Sequence, residues 1–356
     1  MTKTAATGRF LLYGATGYTG KLTAQAAKAQ GLRPVLAGRD EAKVRAVAAL
    51  HGFEWRAFDL ADTAKLDAAL GEVDVVLHMA GPFSATSKPM ADACLRTKRH
   101  YLDITGEIDV FEALAARDAE AKAKGVMLLP GVGFDVVPSD CLAAHVKRRL
   151  PDATHLFLAI GGFAKLSRGT AKTSIEAVAL GTRARRGGHI VRLRGTPRGS
   201  ADFGKGPVPT VAMSWGDVAT AWHSTRIPDI DVHFQSSPLI EKVTKLPAPM
   251  RLFLGSGVGQ RLAKASVDRQ PEGPTDAERA RSHAVVVAEA RNGKGDTVRS
   301  RLRTPEGYTL TAMTSLGIVQ RVLAGDFKAG YQTPSLAYGA DFILRFPGVK
   351  REDLEG

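Results

Sequence analysis

Phe10-Leu11-Leu12-Tyr13-Gly14-Ala15-Thr16-Gly17-Tyr18-Thr19-Gly20 carries an apolar run straight into three closely spaced glycines. A strand that ends this way and turns into a helix is built to hold a phosphate. The glycines allow a sharp turn and let backbone N–H groups approach a pyrophosphate, and the positive end of the following helix dipole adds to the attraction. The flanking sequence agrees: Tyr18–Gln30 reads as an Ala-rich helix stopped by Gly31, and Pro34-Val35-Leu36-Ala37-Gly38 reads as the next strand. Together they make a βαβ unit. The spacing is GxxGxxG, with a first gap one residue longer than in GxGxxG.

The second strand distinguishes the dinucleotides. An acidic residue at its end takes the ribose 2′-hydroxyl of NAD, whereas an Arg nearby accommodates the 2′-phosphate of NADP. Here the strand ends Gly38-Arg39-Asp40, with glycine where the acid would sit. This predicts NADP(H), with Arg39 at the 2′-phosphate. The other reading of Arg39 is a solvated loop cation beside an N-cap Asp40.

Strand and helix then alternate with short connections. Arg9–Tyr13, Pro34–Gly38, Glu54–Phe58, Asp74–Met79, His100–Ile104 and Val126–Leu129 are the strand candidates, with helices such as Asp40–Leu50, Lys88–Thr97 and Ile108–Lys124 between them. That rhythm implies an α/β fold with a Rossmann-type, doubly wound parallel sheet, and ligands then bind beyond the carboxyl ends of the strands. After Pro138 the pattern changes. Helices over Ser139–Leu150 and about Thr170–Arg185 are followed by shorter strands near Ile190–Leu193, Thr210–Trp215 and Asp231–Gln235. Ala284–Arg291 and Asp296–Arg303 flank Asn292-Gly293-Lys294-Gly295, a hairpin turn, and Tyr308–Thr314 reads as a continuation of the meander. The expectation is a second, α+β domain with a mixed or antiparallel sheet. Thr196–Pro209 and Asp268–Thr275, rich in Gly and Pro, read as long mobile loops, and Pro238–Ala265 as a broken helical segment compatible with a lid, a dimer contact or a lipid-facing element.

At 356 residues and 44% hydrophobic content the chain can bury two cores. Cys94 and Cys141 lie in apolar helical patterns without CxxC spacing, as buried free thiols of a reducing compartment do. The N-terminus is short and polar, and no uncharged apolar stretch of about 18 residues occurs, so a cytoplasmic protein is expected. The net charge of +13 is uneven: residues 1–135 balance to +1 and residues 136–356 to +12. Arg299, Arg301 and Arg303 alternate along one strand, and Arg183, Arg185, Arg186, Arg192, Arg194 and Arg198 form a second cluster. These are either a solvated surface or an attraction toward something acidic, such as an acyl carrier, a coenzyme A thioester or an anionic membrane. Nucleic acid is not expected, because no recognition motif accompanies the charge.

Four segments fall at strand ends. Asp59-Leu60 is suited to bracket the adenine, unless Asp59 caps the next helix. Met79-Ala80-Gly81-Pro82-Phe83 offers close backbone approach beside the nicotinamide ribose, or is a simple turn. Tyr101-Leu102-Asp103-Ile104-Thr105-Gly106-Glu107 and Gly131-Val132-Gly133-Phe134-Asp135-Val136-Val137-Pro138 bring Asp103, Glu107 and Asp135 to one sheet edge. Hydride addition to a C=C, C=N or C=O bond needs a proton at the other atom, and a carboxyl group delivers it if burial raises its pKa toward neutrality. Alternatively, Glu107 only complements a helix N-terminus and Asp135 only closes a turn. Tyr101 is a reserve donor, with Lys172 and His78 behind it. No Tyr has Lys four residues later, so the acid/base pair of short-chain dehydrogenases is missing, and there is no HExxH, CxxC or GxSxG. No metal site is expected.

GATGYTG, AGR, AGPF, YLDITGE and PGVGFDVVPSD occur here in the order of the saccharopine dehydrogenase-like oxidoreductases, and GYQTPSLAYGADFIL resembles that family's closing segment. The chain is most similar to the bacterial branch that includes the trans-acting enoyl reductases, which work beside polyketide synthases in making complex lipids. The resemblance implies an NADP(H)-binding Rossmann domain over 1–137, a substrate domain over 138–324, and a C-terminal segment, 325–356, packing back on the first. It further implies a reductase of an enoyl or acyl-type intermediate, with a saccharopine-type imine dehydrogenase and a non-catalytic NADP(H) sensor as alternatives. A homodimer is compatible with all three.

Overall fold

The computed structural model describes residues 8–162, 165–238, 240–241, 246 and 248–355. They form two compact units. The first holds the chain up to Asp135 together with Tyr308–Ala337, and the second holds Val136–Gly307 and the chain from Tyr338 onward.

In the first unit β1 (Phe10–Tyr13), β2 (Val35–Gly38), β3 (Trp55–Ala57), β4 (Val75–His78), β5 (His100–Asp103) and β6 (Met127–Leu129) alternate with six helices. These are α1 (Tyr18–Ala29), α2 (Glu41–His51), α3 (Thr63–Gly71), α4 (Phe83–Thr97), α5 (Ile108–Ala115) and α6 (Asp118–Lys124). The expected helix over Ile108–Lys124 is thus two, with Ala116 and Arg117 between them. Strands β1, β2 and β4 are buried at every position. Their near-continuous apolar sequences follow, because a sheet covered on both faces has no polar side. Leu11, Leu12, Leu36 and Leu77 are completely enclosed, each contributing about 1.5 to 3 kcal/mol of burial. Asp40 caps α2 by accepting from Lys43 N at 3.1 Å, and Gly52 ends it in the left-handed region (φ 71°).

The second unit runs through α7 (Val137–Arg149), β7 (His155–Gly161), α8 (Arg168–Leu180), β8 (Arg183–Arg186), β9 (His189–Arg192), β10 (Arg198–Asp202), β11 (Pro207–Ala212), α9 (Asp217–Thr225) and β12 (Asp229–Gln235). It continues with α10 (Ala248–Gly255), α11 (Gly257–Val267), α12 (Asp276–Arg281), β13 (His283–Arg291) and β14 (Thr297–Pro305), and its last strand is β16 (Lys350–Leu354). The sheet order is β10-β11-β12-β7-β13-β14-β16, with β8 and β9 attached at β12. Only the β12–β7 pair is parallel among those along this path, so the sheet is mixed. The Asn292–Gly295 turn joins β13 to β14 as expected, and the Asn292 side chain accepts from Lys294 N and Asp296 N.

Three expectations are corrected. Helix α8 stops at Leu180 rather than reaching Arg185, because Gly181 (φ 73°) turns the chain into β8. Thr196–Pro209 is not a mobile loop: its Gly and Pro residues lie in and around the β10–β11 hairpin, which pairs antiparallel over Arg198–Val211. Tyr308–Thr314 is not a strand. It belongs to α13 (Gly307–Leu323), whose buried residues Leu310, Thr314, Ile318 and Val322 recur at helical spacing.

The closing segment divides. β15 (Gly330–Tyr331) adds to β6 in parallel, completing the first sheet in the order β15-β6-β5-β4-β1-β2-β3, while β16 pairs antiparallel with β14 in the second. The chain order of the first sheet reverses at β1, whose neighbours are β4 and β2. That switch point is where an open α/β sheet binds its ligand. Part of Pro238–Ala265 lies outside the described residues; the rest carries α10 and α11. Cys94 and Cys141 are buried free thiols. Among the described residues no helix is long and apolar enough to cross a membrane.

Candidate active site

The glycine turn is built as a phosphate cradle. Gly14 has φ 88°, and a Cβ there would lie 2.7 Å from Ala80 N and Met79 C. A Cβ on Gly20 would come 2.2 Å from Gly14 O. Both glycines are therefore required by the fold of the loop against α1 and β4. Gly17 differs: it is exposed, and a Cβ would meet nothing closer than Gly14 O at 3.5 Å. Its bareness serves whatever approaches from outside. As the N-cap of α1 it supplies no side-chain hydrogen bond, and the first turn holds no acidic residue. No capping side chain and no acidic side chain competes with an anion at that helix start. The loop thus fits a dinucleotide pyrophosphate. Tyr18 beside it stacks edge-on against Tyr308 of α13, with centroids 5.0 Å apart.

Arg39 is exposed at the end of β2 and makes no hydrogen bond or ion pair with other described residues. Asp40 is occupied in capping α2. Asp59 is exposed and accepts from Ala61 N at 2.9 Å, while Asp62, not Asp59, caps α3. Leu60 is half-buried against the first core. Ala80 also packs there, Gly81 is exposed, and Pro82 precedes Phe83 at the start of α4.

Each carboxyl group at the sheet edge has a different employment. Asp103 is wholly buried. Its Oδ1 accepts from Thr105 N and Gly131 N, each at 3.0 Å, and its Oδ2 accepts from Tyr101 OH at 2.6 Å. Burial raises its pKa to about 6, against the pull of those donors. The group ties the loop after β5 to the loop after β6. Tyr101 spends its proton on Asp103, and burial with the adjoining carboxylate pushes its pKa well above 10.

Glu107 reaches 24 residues back to accept from Phe83 N at 2.8 Å and Ser84 N at 2.7 Å. It neutralises a helix N-terminus, that of α4 rather than of its own helix, and so holds the Ala80–Phe83 turn. Glu107→Ala is expected to cost about 1 kcal/mol in urea denaturation, and to raise the KM for NADPH with a smaller effect on kcat.

Asp135 sits where a Cβ on Gly106 would come 3.1 Å from its Oδ2. Part of the residue reaches the surface, yet the burial of its carboxyl raises the pKa to about 7. Burial thus favours its protonated form near neutral pH. His78, enclosed among the rings of Tyr13, Phe83 and Tyr101, is driven by burial to a pKa of about 3. Its Nε2 lies 3.0 Å from Thr86 Oγ1, which donates in turn to Ala80 O. A neutral imidazole, its Nε2 hydrogen directed at Thr86 Oγ1, supports the turn. Lys172 belongs to the second unit, where it pairs with Asp268 at 2.6 Å.

Two residues not anticipated complete the edge. Thr311 Oγ1 accepts from Phe134 N at 2.9 Å, and Thr314 Oγ1 donates to Val132 O at 2.8 Å. Both lie on α13 and fix the Gly131–Asp135 loop from a distance of 177 residues or more in the chain. Gly133 leaves room for Thr311, since a Cβ would meet its Cγ2 at 3.0 Å. The only trace in the sequence is the threonine spacing within 307–323.

Residues 10–129 match the saccharopine dehydrogenase NADP binding domain. This stretch of the chain is similar to that domain over about a third of the whole sequence. Its cofactor is NADP(H), as the Gly38-Arg39 strand end indicated. The chain is also similar to the trans-acting enoyl reductase of Mycobacterium leprae, at 36% identity over 148 residues, which are 39% of this chain and 35% of that protein. The trans-acting enoyl reductase of Mycobacterium tuberculosis (strain ATCC 25618 / H37Rv) matches at 33% identity over the same shares. The alignment spans about a third of the length of these curated relatives. Among solved structures, apo saccharopine dehydrogenase (L-Glu forming) from Saccharomyces cerevisiae superposes with a TM-score of 0.66 at 14% identity, covering 98% of this chain and all of that one. That likeness is one of fold: a Rossmann-type domain with a second, mixed-sheet domain.

The basic clusters are largely consumed internally. Arg185 is 3% exposed, donates to Val218 O and Gly188 O, and lies over the Trp222 ring. Arg186 pairs with Asp231 and Arg198 with Glu241. Arg299 and Arg301 share one sheet face, as their alternation implied, and pair with Glu289 and Glu352.

Proposed function

We propose that this chain is an NADPH-dependent reductase that saturates the C=C bond of an enoyl or related acyl thioester of lipid or polyketide type. The reading rests on Asp135, whose carboxyl packs against Gly106 in the loop after β5 and is pushed by burial to a pKa of about 7. Its neighbours Asp103, Glu107 and Tyr101 are committed to holding loops. The names of the relatives support the substrate class.

In this reading the uncapped start of α1 at Gly14–Gly20 holds the pyrophosphate, and Arg39 holds the 2′-phosphate. Asp59 and Leu60 border the adenine, and Ala80–Phe83 border the nicotinamide ribose. When bound, NADPH supplies a hydride, taken at the β-carbon. Asp135 gives its proton to the α-carbon, so that two hydrogens are added across the double bond, and it regains a proton from solvent. Asp103 orients the loop carrying Asp135, and Glu107 orients the turn at the ribose. We place the protein in the cytoplasm, where its two unpaired thiols stay reduced.

The test is NADPH oxidation, followed at the nicotinamide absorbance, against enoyl thioesters and cyclic imines. Oxidation with an enoyl thioester supports the proposal. Oxidation with imines alone moves the chain to the saccharopine-type chemistry, and tight NADPH binding with no oxidation makes it a sensor. Arg39→Ala is expected to weaken NADPH binding about 10- to 100-fold while leaving NADH binding within about twofold. Equal losses for both, read by fluorescence titration, would remove Arg39 from the 2′-phosphate.

A further inference from the structure

Helices α10 and α11 form a hairpin joined at Ser256, and both pack on α8. The hairpin is tight. A Cβ on Gly259 would fall 1.9 Å from Phe253 O, so only glycine lets the two helices close. Ser256 fixes the corner by accepting from Gly259 N and donating to Phe253 O. On the α8 side Lys264 pairs with Glu176.

Away from that packing the hairpin exposes large apolar side chains. Met250 is 49% exposed, Phe253 46%, Val258 64% and Leu262 60%. Half of the eight exposed large hydrophobics among the described residues are concentrated in these two helices. Met250 and Phe253 are three residues apart and Val258 and Leu262 four, so each pair shares a helical face. Scattered exposed leucines need no explanation, but a cluster on one supersecondary element does. Residues 248–267 also contain Arg251, Arg261 and Lys264 and no acidic residue, and Arg261 is exposed beside Leu262.

We propose that the α10–α11 hairpin is a peripheral contact for an anionic lipid surface. Apolar side chains around a short, glycine-flanked corner enter the boundary between headgroups and acyl chains, and Arg261 meets the lipid phosphates. The contact is interfacial, since neither helix, at 8 and 11 residues, is long enough to span a bilayer. The charge selects this occupant over a second copy of the chain: two copies of an acid-free basic hairpin repel each other. It is independent of the proposed reaction, because the hairpin contains none of the cofactor-binding residues.

The test is co-sedimentation of the full chain, without cofactor, with vesicles of phosphatidylglycerol and phosphatidylcholine and with phosphatidylcholine vesicles, at physiological salt. The basic chain as a whole has some attraction for anionic vesicles, so the deciding variant preserves charge: Phe253→Ser with Leu262→Ser. Binding to the anionic vesicles is expected to fall at least tenfold in this variant, with the thermal unfolding midpoint unchanged, and Arg261→Ser to reduce it several-fold. Undiminished binding by the double variant would overturn the proposal, as would absence of binding by the unaltered chain. A double variant that turns a dimer into a monomer without altering vesicle binding would assign the face to a second copy instead.

Discussion

Asp135→Asn is expected to reduce kcat by about a hundredfold or more, with NADPH binding changed less than twofold. Asparagine keeps the shape and polarity of the side chain but has no proton of suitable acidity to give. Two pH effects accompany the loss. With Asp135 as the proposed proton donor, kcat/KM should fall as pH rises through about 7, and this limb should vanish in the variant. Stability follows from the same shift. The folded pKa of Asp135 lies above the unfolded value near 3.8, so between these values the native state binds more protons than the unfolded one. The associated stability is complete below about pH 4 and is lost as pH rises through 7. Asp135→Asn escapes that loss and should be more stable than the unaltered chain at pH 8, by about 1 to 3 kcal/mol. A variant that is inactive but also unstable at pH 8 would assign Asp135 to structure instead.

Asp103→Ala carries the largest expected effect on stability. Removing the carboxyl leaves Tyr101 OH, Thr105 N and Gly131 N buried without their acceptor. Unmet donors of this kind cost about 1 to 3 kcal/mol each, offset in part by rearrangement, so a net loss of about 3 to 5 kcal/mol is expected in urea denaturation. Asp103→Asn discriminates between roles. It retains the oxygen that takes the two N–H groups, and the Tyr101 hydroxyl can turn to meet the amide. Turnover is then expected within about tenfold of the unaltered enzyme. Were Asp103 the proton donor, Asn would abolish turnover as thoroughly as Ala.

The Rossmann half was legible because its signals are local. Each buried strand is a short apolar run, and α2 and α3 are capped by Asp40 and Asp62 from their own sequence. The second domain was legible where turn chemistry was explicit, as at Asn292–Gly295. Misreading came where composition imitates another state. The stretch from Tyr308 to Thr314 is the clearest case: YTLTAMT is rich in β-branched and aromatic residues and scans as a strand, yet tertiary packing makes it a helix. Gly and Pro at 195–209 imitated a loop although they border a hairpin. The site was legible as a set of residues but not as a division of labour. Asp103 and Glu107 both look like acids poised at a strand end. Asp103 takes one donor from Gly131, 28 residues away, and Glu107 takes its pair from Phe83 and Ser84, 24 and 23 residues away, and no local pattern encodes such partners. Thr311 and Thr314 were missed for the same reason, acting across more than a third of the chain.

The proposed reaction is the reduction of an activated double bond by this chain, with a hydride from NADPH and a proton from its own carboxyl. Turnover of an enoyl thioester with NADPH carrying deuterium at both C4 positions, read by mass spectrometry of the product, tests it most directly. The expected product carries one deuterium at the β-carbon of the saturated acyl group and a solvent-derived hydrogen at the α-carbon. Full NADPH binding with no deuterium in any acyl product would contradict it.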